Sequence, residues 1–219
     1  MIFLPIAILT FILLVLSLPF LLILGYLNII TAGFEQLGIS PEITLFVLFL
    51  ILLGSSINIP ITKQKTVLTR KSYFFGAFSK PVMEIHCVAV NLGGAIIPVL
   101  LSFYFLFQVY LNDFSLIRVL ISTILMVIVT KYYSKIVPGK GITIPVLIPP
   151  MFSALFSFLL MPGFAAPCAF ISGILGTLIG ADLLNLKKMR RLGGFLSIGG
   201  AGVFDAIFLV GIVSALMSG

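Results

Sequence analysis

Charged residues are scarce in this chain: Asp, Glu, Lys and Arg together make up only 9% of its 219 residues, and 61% are hydrophobic. A soluble domain carries roughly 25% charged residues. So few charges cannot cover a soluble surface, and so much apolar surface excludes a disordered chain. The composition therefore predicts a polytopic integral membrane protein.

Cysteine and histidine are nearly absent as well. Cys87 and Cys168 are far apart in or beside apolar runs, which is typical of small buried hydrophobes and gives no disulfide framework. His86 and Glu84 are two positions apart, so they would face different sides of a helix, and further metal ligands are missing. The chain also lacks a P-loop, a nucleotide fingerprint and CxxC, so we expect no cofactor, no metal and no nucleic acid partner.

Long apolar runs are what the chain has instead. Most of them reach the roughly 17–25 residues that a membrane-spanning helix needs. We therefore expect an all-α fold, with one polytopic transmembrane domain over residues 1–219 and about seven transmembrane helices. The runs are Ile2–Leu27, Ile43–Ile59, His86–Leu111, Phe114–Thr130, Ile142–Leu160, Phe164–Leu186 and Phe195–Met217.

Proline and glycine interrupt several of these runs. Pro145, Pro149 and Pro150 fall in the first half of the fifth run, so we expect this run to begin extended or kinked. Glycines crowd the start of the seventh run, where they predict a partly unwound or tightly packed segment. The first run has no basic residue before it, which favours a spanning helix over a cleavable signal peptide.

The basic residues indicate the orientation. Every Lys and Arg except Arg118 falls in the loops after the second, fourth and sixth runs, whereas the loop after the first run holds Glu35 and Glu42. The positive-inside rule makes the basic loops cytoplasmic. We therefore expect the N-terminus inside, the C-terminus outside and the lipid bilayer as a partner.

Asp182 and Asp205 lie inside apolar runs, where a charge costs on the order of 2.5–3.5 kcal/mol at the bilayer centre. They fall on consecutive antiparallel segments, so we expect them to be neighbours in the cytoplasmic half. Two carboxylates in one low-dielectric site share a proton. That chemistry suits an aspartyl protease, and it equally suits a carrier of protons or cations. The alternative without chemistry is that Asp182 caps the loop and Asp205 bonds to helix backbone.

The two aspartate segments resemble the catalytic helices of presenilin-type (GxGD) intramembrane aspartyl proteases. Asp182-Leu183 resembles their Tyr-Asp helix, although Ala181 replaces the Tyr, and Gly200–Asp205 resembles their Gly-x-Gly-Asp helix. This resemblance implies that Asp182 and Asp205 are catalytic and that a transmembrane peptide is the substrate. A transporter would instead use the same aspartates for a small ion.

Other polar or helix-breaking residues map to the same cytoplasmic half, where a shared cavity would explain them. Each asparagine alone is more typical of a helix cap or a single interhelical hydrogen bond. As a group they are our candidates for binding substrate or ion. The group comprises Asn58, Asn91, Pro145, Asn185, Gly200 and Gly202.

Five motifs resemble those of a prokaryotic membrane family known as a domain of unknown function (number 1614). The resemblance implies the cell membrane of a prokaryote and implies no activity. Three functions therefore stay open: an intramembrane aspartyl protease-like enzyme, a proton- or cation-coupled transporter, and a structural membrane protein. The motifs are Gly54–Pro60, Val90–Ala95, Ile144–Pro150, Gly180–Leu186 and Gly199–Asp205.

Overall fold

The computed structural model of the chain describes residues 23, 25, 27–32, 34–35, 38–63, 65–73, 78–137, 141–192 and 194–217. Most of the predicted first span, Ile2–Leu27, lies outside these residues. The described part is mostly helical, as the apolar runs predict. Its α-helices are α1 Pro41–Gly54, α2 Ile97–Leu111, α3 Leu116–Tyr133, α4 Ile148–Leu160, α5 Ala165–Thr177, α6 Leu186–Leu192 and α7 Ala201–Leu216.

Three helical stretches in the described part are long and apolar enough to cross a membrane. They are Leu92–Leu111, Leu116–Tyr133 and Pro162–Arg190, with 20, 18 and 29 residues. The first adds a π turn to the start of α2, and the third adds further turns to both ends of α5. Helices α1, α4 and α7 are apolar but shorter. These helices indicate an integral membrane protein.

The chain also contains β-strands, which corrects the expectation of a purely α-helical fold. β3 pairs antiparallel with β1 and β2 and parallel with β6, and β4 pairs with β5. The hydrophobic pattern does not reveal these strands, because a short apolar run has the same pattern in a buried strand and in a buried helix. The strands are β1 Asn58–Pro60, β2 Lys65–Tyr73, β3 Phe78–Asn91, β4 Lys135–Val137, β5 Gly141–Thr143 and β6 Phe195–Ile198.

Several predicted spans are therefore part helix and part strand. The second run leaves the helix after Gly54 and continues into β1, and the third begins as the end of β3. The fifth begins with β5, in agreement with the expected extended or kinked start. The seventh begins with the strand β6, where the glycines predicted a partly unwound or tightly packed segment. Strand pairing satisfies backbone groups that irregular structure at membrane depth would leave unpaired. The strands lie at the helix ends that carry the basic loops, and we call this the strand end.

Helix α5 forms the centre of the protein. It packs against α2, α3, α4 and α7, and every residue from Ala165 to Thr177 except Leu175 is buried. Phe170 packs edge-on against Phe105 of α2, with 4.8 Å between ring centroids. On the side facing α3, the Thr130 hydroxyl lies 2.8 Å from the carbonyl oxygen of Gly176. Small residues let the helices approach closely, as is usual where membrane helices pack.

Candidate functional site

Asp182 lies where the longest apolar helical stretch changes its winding. The α-helical part ends at Thr177, and the chain continues through a π turn, Leu178–Asp182, and a 3₁₀ turn, Leu183–Asn185. A π turn inserts an extra residue and rotates the following side chains relative to the helix before it. The Asp182 side chain is only 3% exposed, so its carboxyl group lies inside the protein.

The hydrogen-bond partner of Asp182 in the described part is a backbone group. Gly199 donates its N–H to Oδ2 of Asp182 at 2.6 Å. A buried carboxyl group is tolerated only when it is hydrogen-bonded, and a backbone N–H is a suitable donor. This bond attaches the turn between β6 and α7 to the broken end of α5.

Gly199 is suited to this position for two reasons. Its φ of +67° is in the left-handed region, which favours glycine. In addition, a Cβ atom at Gly199 would lie 2.5 Å from the carbonyl oxygen of Gly94. The turn at Gly199 therefore packs backbone against backbone on the π turn that precedes α2.

Asn58, Asn91 and Ser197 form a hydrogen-bonded group beside this turn, which we call the asparagine cluster. Asn91 is 2% exposed and donates from Nδ2 to Oδ1 of Asn58 at 3.2 Å. Asn58 Oδ1 also accepts a hydrogen bond from the Ser197 hydroxyl. The cluster thus joins β1, β3 and β6, three strands that are far apart in sequence.

Asn91 also holds the backbone on either side of the cluster. Its Nδ2 donates to the carbonyl oxygen of Ser55 at 2.6 Å, just after α1. Its Oδ1 accepts the N–H of Gly94 at 2.7 Å, which caps the π turn leading into α2. Because Ser197 and Gly199 belong to the same short segment, the asparagine cluster and Asp182 converge on the β6–α7 turn.

Asp205 does not join Asp182. It lies on the exposed face of α7, whereas Val203, Ala206 and Val210 of the same helix are buried. Among the described residues, no hydrogen bond links the two carboxyl groups. The expectation that the aspartates pair is therefore not met, and Asp182 bonds Gly199 instead. The catalytic roles assigned to both residues stay predictions.

Asn185 belongs to a separate network at the end of the α5 stretch that lies near the strand end. Its Nδ2 donates to the Ser134 hydroxyl and to the Ala181 carbonyl oxygen, both at 2.8 Å. Its Oδ1 accepts from Nζ of Lys131 at 2.5 Å, and that ammonium also bonds the Leu184 carbonyl oxygen. This network ties the end of α3 to the turns that follow α5.

The remaining candidates act through their backbone. Pro145 is exposed between β5 and α4, and its carbonyl oxygen accepts the N–H of Ile148. Gly200 precedes α7, where its carbonyl oxygen accepts the N–H groups of Val203 and Phe204, both at 2.9 Å. Gly202 packs directly on β5, so a Cβ there would clash with the carbonyl oxygen of Ile142.

The sequence reasoning missed three functional candidates: Gly199 as the partner of Asp182, Ser197 in the asparagine cluster, and Lys131 at Asn185. A weak signal existed for Ser197, because it is a polar residue within an apolar run. Gly199 stands among several glycines and begins the motif Gly199–Asp205, but neither feature identifies its backbone N–H as the partner of Asp182. The described residues contain no group of three His, Cys, Asp or Glu side chains that could hold a metal ion.

A model of the family described as "Protein of unknown function (DUF1614)" matches residues 52–217. The match covers most of the chain, so the chain belongs to this family. No curated protein and no solved structure matches the chain. The resemblance to presenilin-type proteases is not shown by these comparisons.

Proposed function

We propose that this DUF1614 family member is a membrane transporter that carries protons, in which Asp182 takes up and releases the proton. The observation that carries the proposal is the 2.6 Å hydrogen bond between this buried carboxyl group and the Gly199 backbone. It joins two breaks, one in the α5 stretch and one between β6 and α7. When the Asp182 carboxyl group at this junction gains or loses a proton, the change in its charge can alter the position of α7.

Broken segments converging on one buried polar group support transport over a purely structural role. Discontinuous helices and unwound backbone form the substrate and ion sites of many secondary transporters. Irregular backbone at membrane depth is tolerated where it is buried in protein or lines a cavity. Here the ends of α1 and α5 and the starts of α2 and α7 meet at the asparagine cluster and Asp182.

The proton is favoured over a metal cation because the amide oxygens of the site are already occupied. Asn58 Oδ1 accepts two hydrogen bonds, and Asn91 Oδ1 accepts from Gly94. Hard cations such as Ca²⁺ require about 6–8 oxygen ligands. A proton requires only one oxygen, which the Asp182 carboxyl group supplies.

Protonation would alter the contact that holds the β6–α7 turn. A hydrogen bond from an N–H to a carboxylate is roughly twice as strong as one between neutral groups. A proton bound to Asp182 therefore weakens its hold on Gly199, and α7 gains freedom to move relative to α5. Release of the proton restores the stronger bond and fixes α7 again.

The proposal includes the topology inferred from the loop charges. Seven spans, with the first in residues 2–27, put the N-terminus inside and the C-terminus outside a prokaryotic cell membrane. The strand end, which carries the basic loops, then faces the cytoplasm. Asp182 lies in the cytoplasmic half and is reached from that side.

Proton flux into reconstituted vesicles tests this function. A potassium diffusion potential drives protons into vesicles containing a pH-sensitive dye, with wild type, Asp182→Asn and Asp205→Asn compared at equal protein content. We expect wild type and Asp205→Asn to acidify the vesicles alike, and Asp182→Asn to match empty vesicles. Equal flux for Asp182→Asn and wild type, or wild-type flux equal to that of empty vesicles, would contradict the proposal.

The same preparation separates transport from proteolysis. A protease needs Asp182 and Asp205 together, because one carboxylate activates water and the other donates a proton. If wild type cleaves a transmembrane peptide and both Asp182→Asn and Asp205→Asn lose this activity equally, the result would contradict the transporter proposal and support a protease. Since Asp205 lies on the exposed face of α7, we expect no such cleavage.

A further inference from the structure

An apolar pocket lies away from Asp182, between α1, α2, α5 and α7. Its walls are almost entirely hydrocarbon, with Leu48 and Ile51 from α1, Ile174 from α5 and Ile207 from α7. Thr44 lies near the start of α1, whereas Ile51, Pro98 and Leu101 lie nearer the strand end, so the pocket extends along the helices. Its lining includes neither Asp182 nor Gly199. The proton site and the pocket are therefore separate.

Thr44 is the polar side chain in the lining of this pocket. It is 2% exposed, and its hydroxyl oxygen has no hydrogen-bond partner in the described part of the chain. A buried hydroxyl without a partner costs about 1–3 kcal/mol, so such groups are usually satisfied in native proteins. The pocket therefore combines apolar walls with one hydroxyl that is free to bond a ligand.

The position of Thr44 indicates the ligand. The α1 helix begins at Pro41, so Thr44 lies about 4–5 Å along the helix axis from its start. Ile51 lies about 10 Å further along the same helix. A ligand in this pocket thus meets a hydrogen-bond donor near one membrane boundary and hydrocarbon at greater depth.

The surroundings of the pocket are also apolar. Phe46, Phe49 and Leu53 on the outward side of α1 are each more than half exposed. In an integral membrane protein such a surface contacts lipid, so lipid is the medium next to the pocket. We propose that the pocket binds an acyl chain of a glycerophospholipid, with the Thr44 hydroxyl donating to the ester carbonyl oxygen. The lipid comes from the leaflet opposite the strand end.

Gly211 offers a way to close the pocket. It lies in the lining, and a Cβ there would sit 3.6 Å from the Phe170 ring, an ordinary contact distance. Gly211→Leu therefore fills the pocket without forcing backbone apart. Gly163 provides the matched control, because its Cβ would sit 3.5 Å from the Phe114 ring, outside the pocket lining.

Photolabelling with lipid tests the proposal. The full-length protein is reconstituted in phosphatidylcholine vesicles that contain a phosphatidylcholine with a diazirine on its acyl chain, and labelled residues are mapped by mass spectrometry. Lipid around the protein reaches exposed side chains such as Phe46. Ile174 and Ile207 are 1% and 2% exposed, so label on them requires a chain inside the pocket.

We expect label on Ile174 or Ile207 in wild type and Gly163→Leu, and none there in Gly211→Leu. Thr44→Val should lower it about fivefold, the factor for one ordinary hydrogen bond. Label confined to exposed residues in wild type would overturn the proposal. Label on Ile174 and Ile207 that Gly211→Leu and Thr44→Val leave unchanged would overturn it equally, because the chain would then enter elsewhere.

Discussion

Gly199 donates its backbone N–H to Oδ2 of Asp182 at 2.6 Å, and this bond joins the turn before α7 to the broken end of α5. The two residues are 17 positions apart in the sequence. Gly199 also packs on the backbone of Gly94, at the turn before α2. One short turn thus holds the starts of two helices and the end of a third.

Gly199→Ala should strongly destabilise the protein, because alanine combines an unfavourable φ with a clash against Gly94. Gly194 is the matched control: its φ is +88°, but a Cβ there meets nothing within 4 Å. The left-handed conformation alone costs roughly 1–2 kcal/mol in Gly194→Ala. We expect Gly199→Ala to exceed this loss by at least about 1 kcal/mol. Unfolding in detergent, followed by circular dichroism, measures both variants, and equal losses would show that the close approach to Gly94 is unimportant.

Asn91→Ala should cost more stability than Asn58→Ala. Asn91 is buried and bonds the Ser55 carbonyl oxygen, the Gly94 N–H and Asn58, whereas Asn58 is half-buried. Removing Asn91 leaves buried backbone groups unpaired, so we expect a loss of about 2–4 kcal/mol, against about 1–2 kcal/mol for Asn58→Ala. The same detergent unfolding experiment ranks the two variants. The reverse order would mean that the cluster is held mainly through Ser197.

Buried hydroxyl groups between the helices should differ in how much their removal changes the stability of the protein. The Ser122 and Ser157 hydroxyls have no hydrogen-bond partner in the described residues, although both lie near the Cys168 thiol. Thr130 instead bridges α3 to the Gly176 carbonyl oxygen of α5. We expect Ser122→Ala and Ser157→Ala to leave stability unchanged within about 0.5 kcal/mol or to raise it. Thr130→Val should lower it by about 1 kcal/mol.

Thr130→Ser keeps the hydroxyl and serves as the control, with stability close to wild type. A loss in Ser122→Ala or Ser157→Ala as large as in Thr130→Val would contradict this division. It would indicate that the two serines are bonded through a water molecule beside Cys168.

The coarse features of the fold could be predicted from the sequence, because composition and the length of the apolar runs are properties of many residues together. The long apolar helices follow from them, and the prolines of the fifth run predicted its non-helical start, where the structure has β5. That Asp182 bonds Gly199 and not Asp205 could not be predicted, since it depends on which face of α7 carries Asp205. The π turn at Asp182 and the strand β6 both depart from regular α-helix, so they change which of the following residues point towards the protein interior.

The contacts at the site were hidden for a second reason. Asn58 and Asn91 were placed in the same half of the protein, and the structure joins them by a hydrogen bond. The partner of Asp182 is a main-chain group, and every non-proline residue has such a group. A sequence pattern therefore cannot single out Gly199 as the donor.

The central claim is that the buried Asp182 carboxyl group, and not Asp205, gains and loses a proton in the membrane-embedded protein. Infrared difference spectra between acidic and alkaline pH detect the carbonyl stretch of a protonated buried carboxyl group. We predict one such band in reconstituted wild type and in Asp205→Asn, and its loss in Asp182→Asn. A band that persists in Asp182→Asn and disappears in Asp205→Asn would contradict the account.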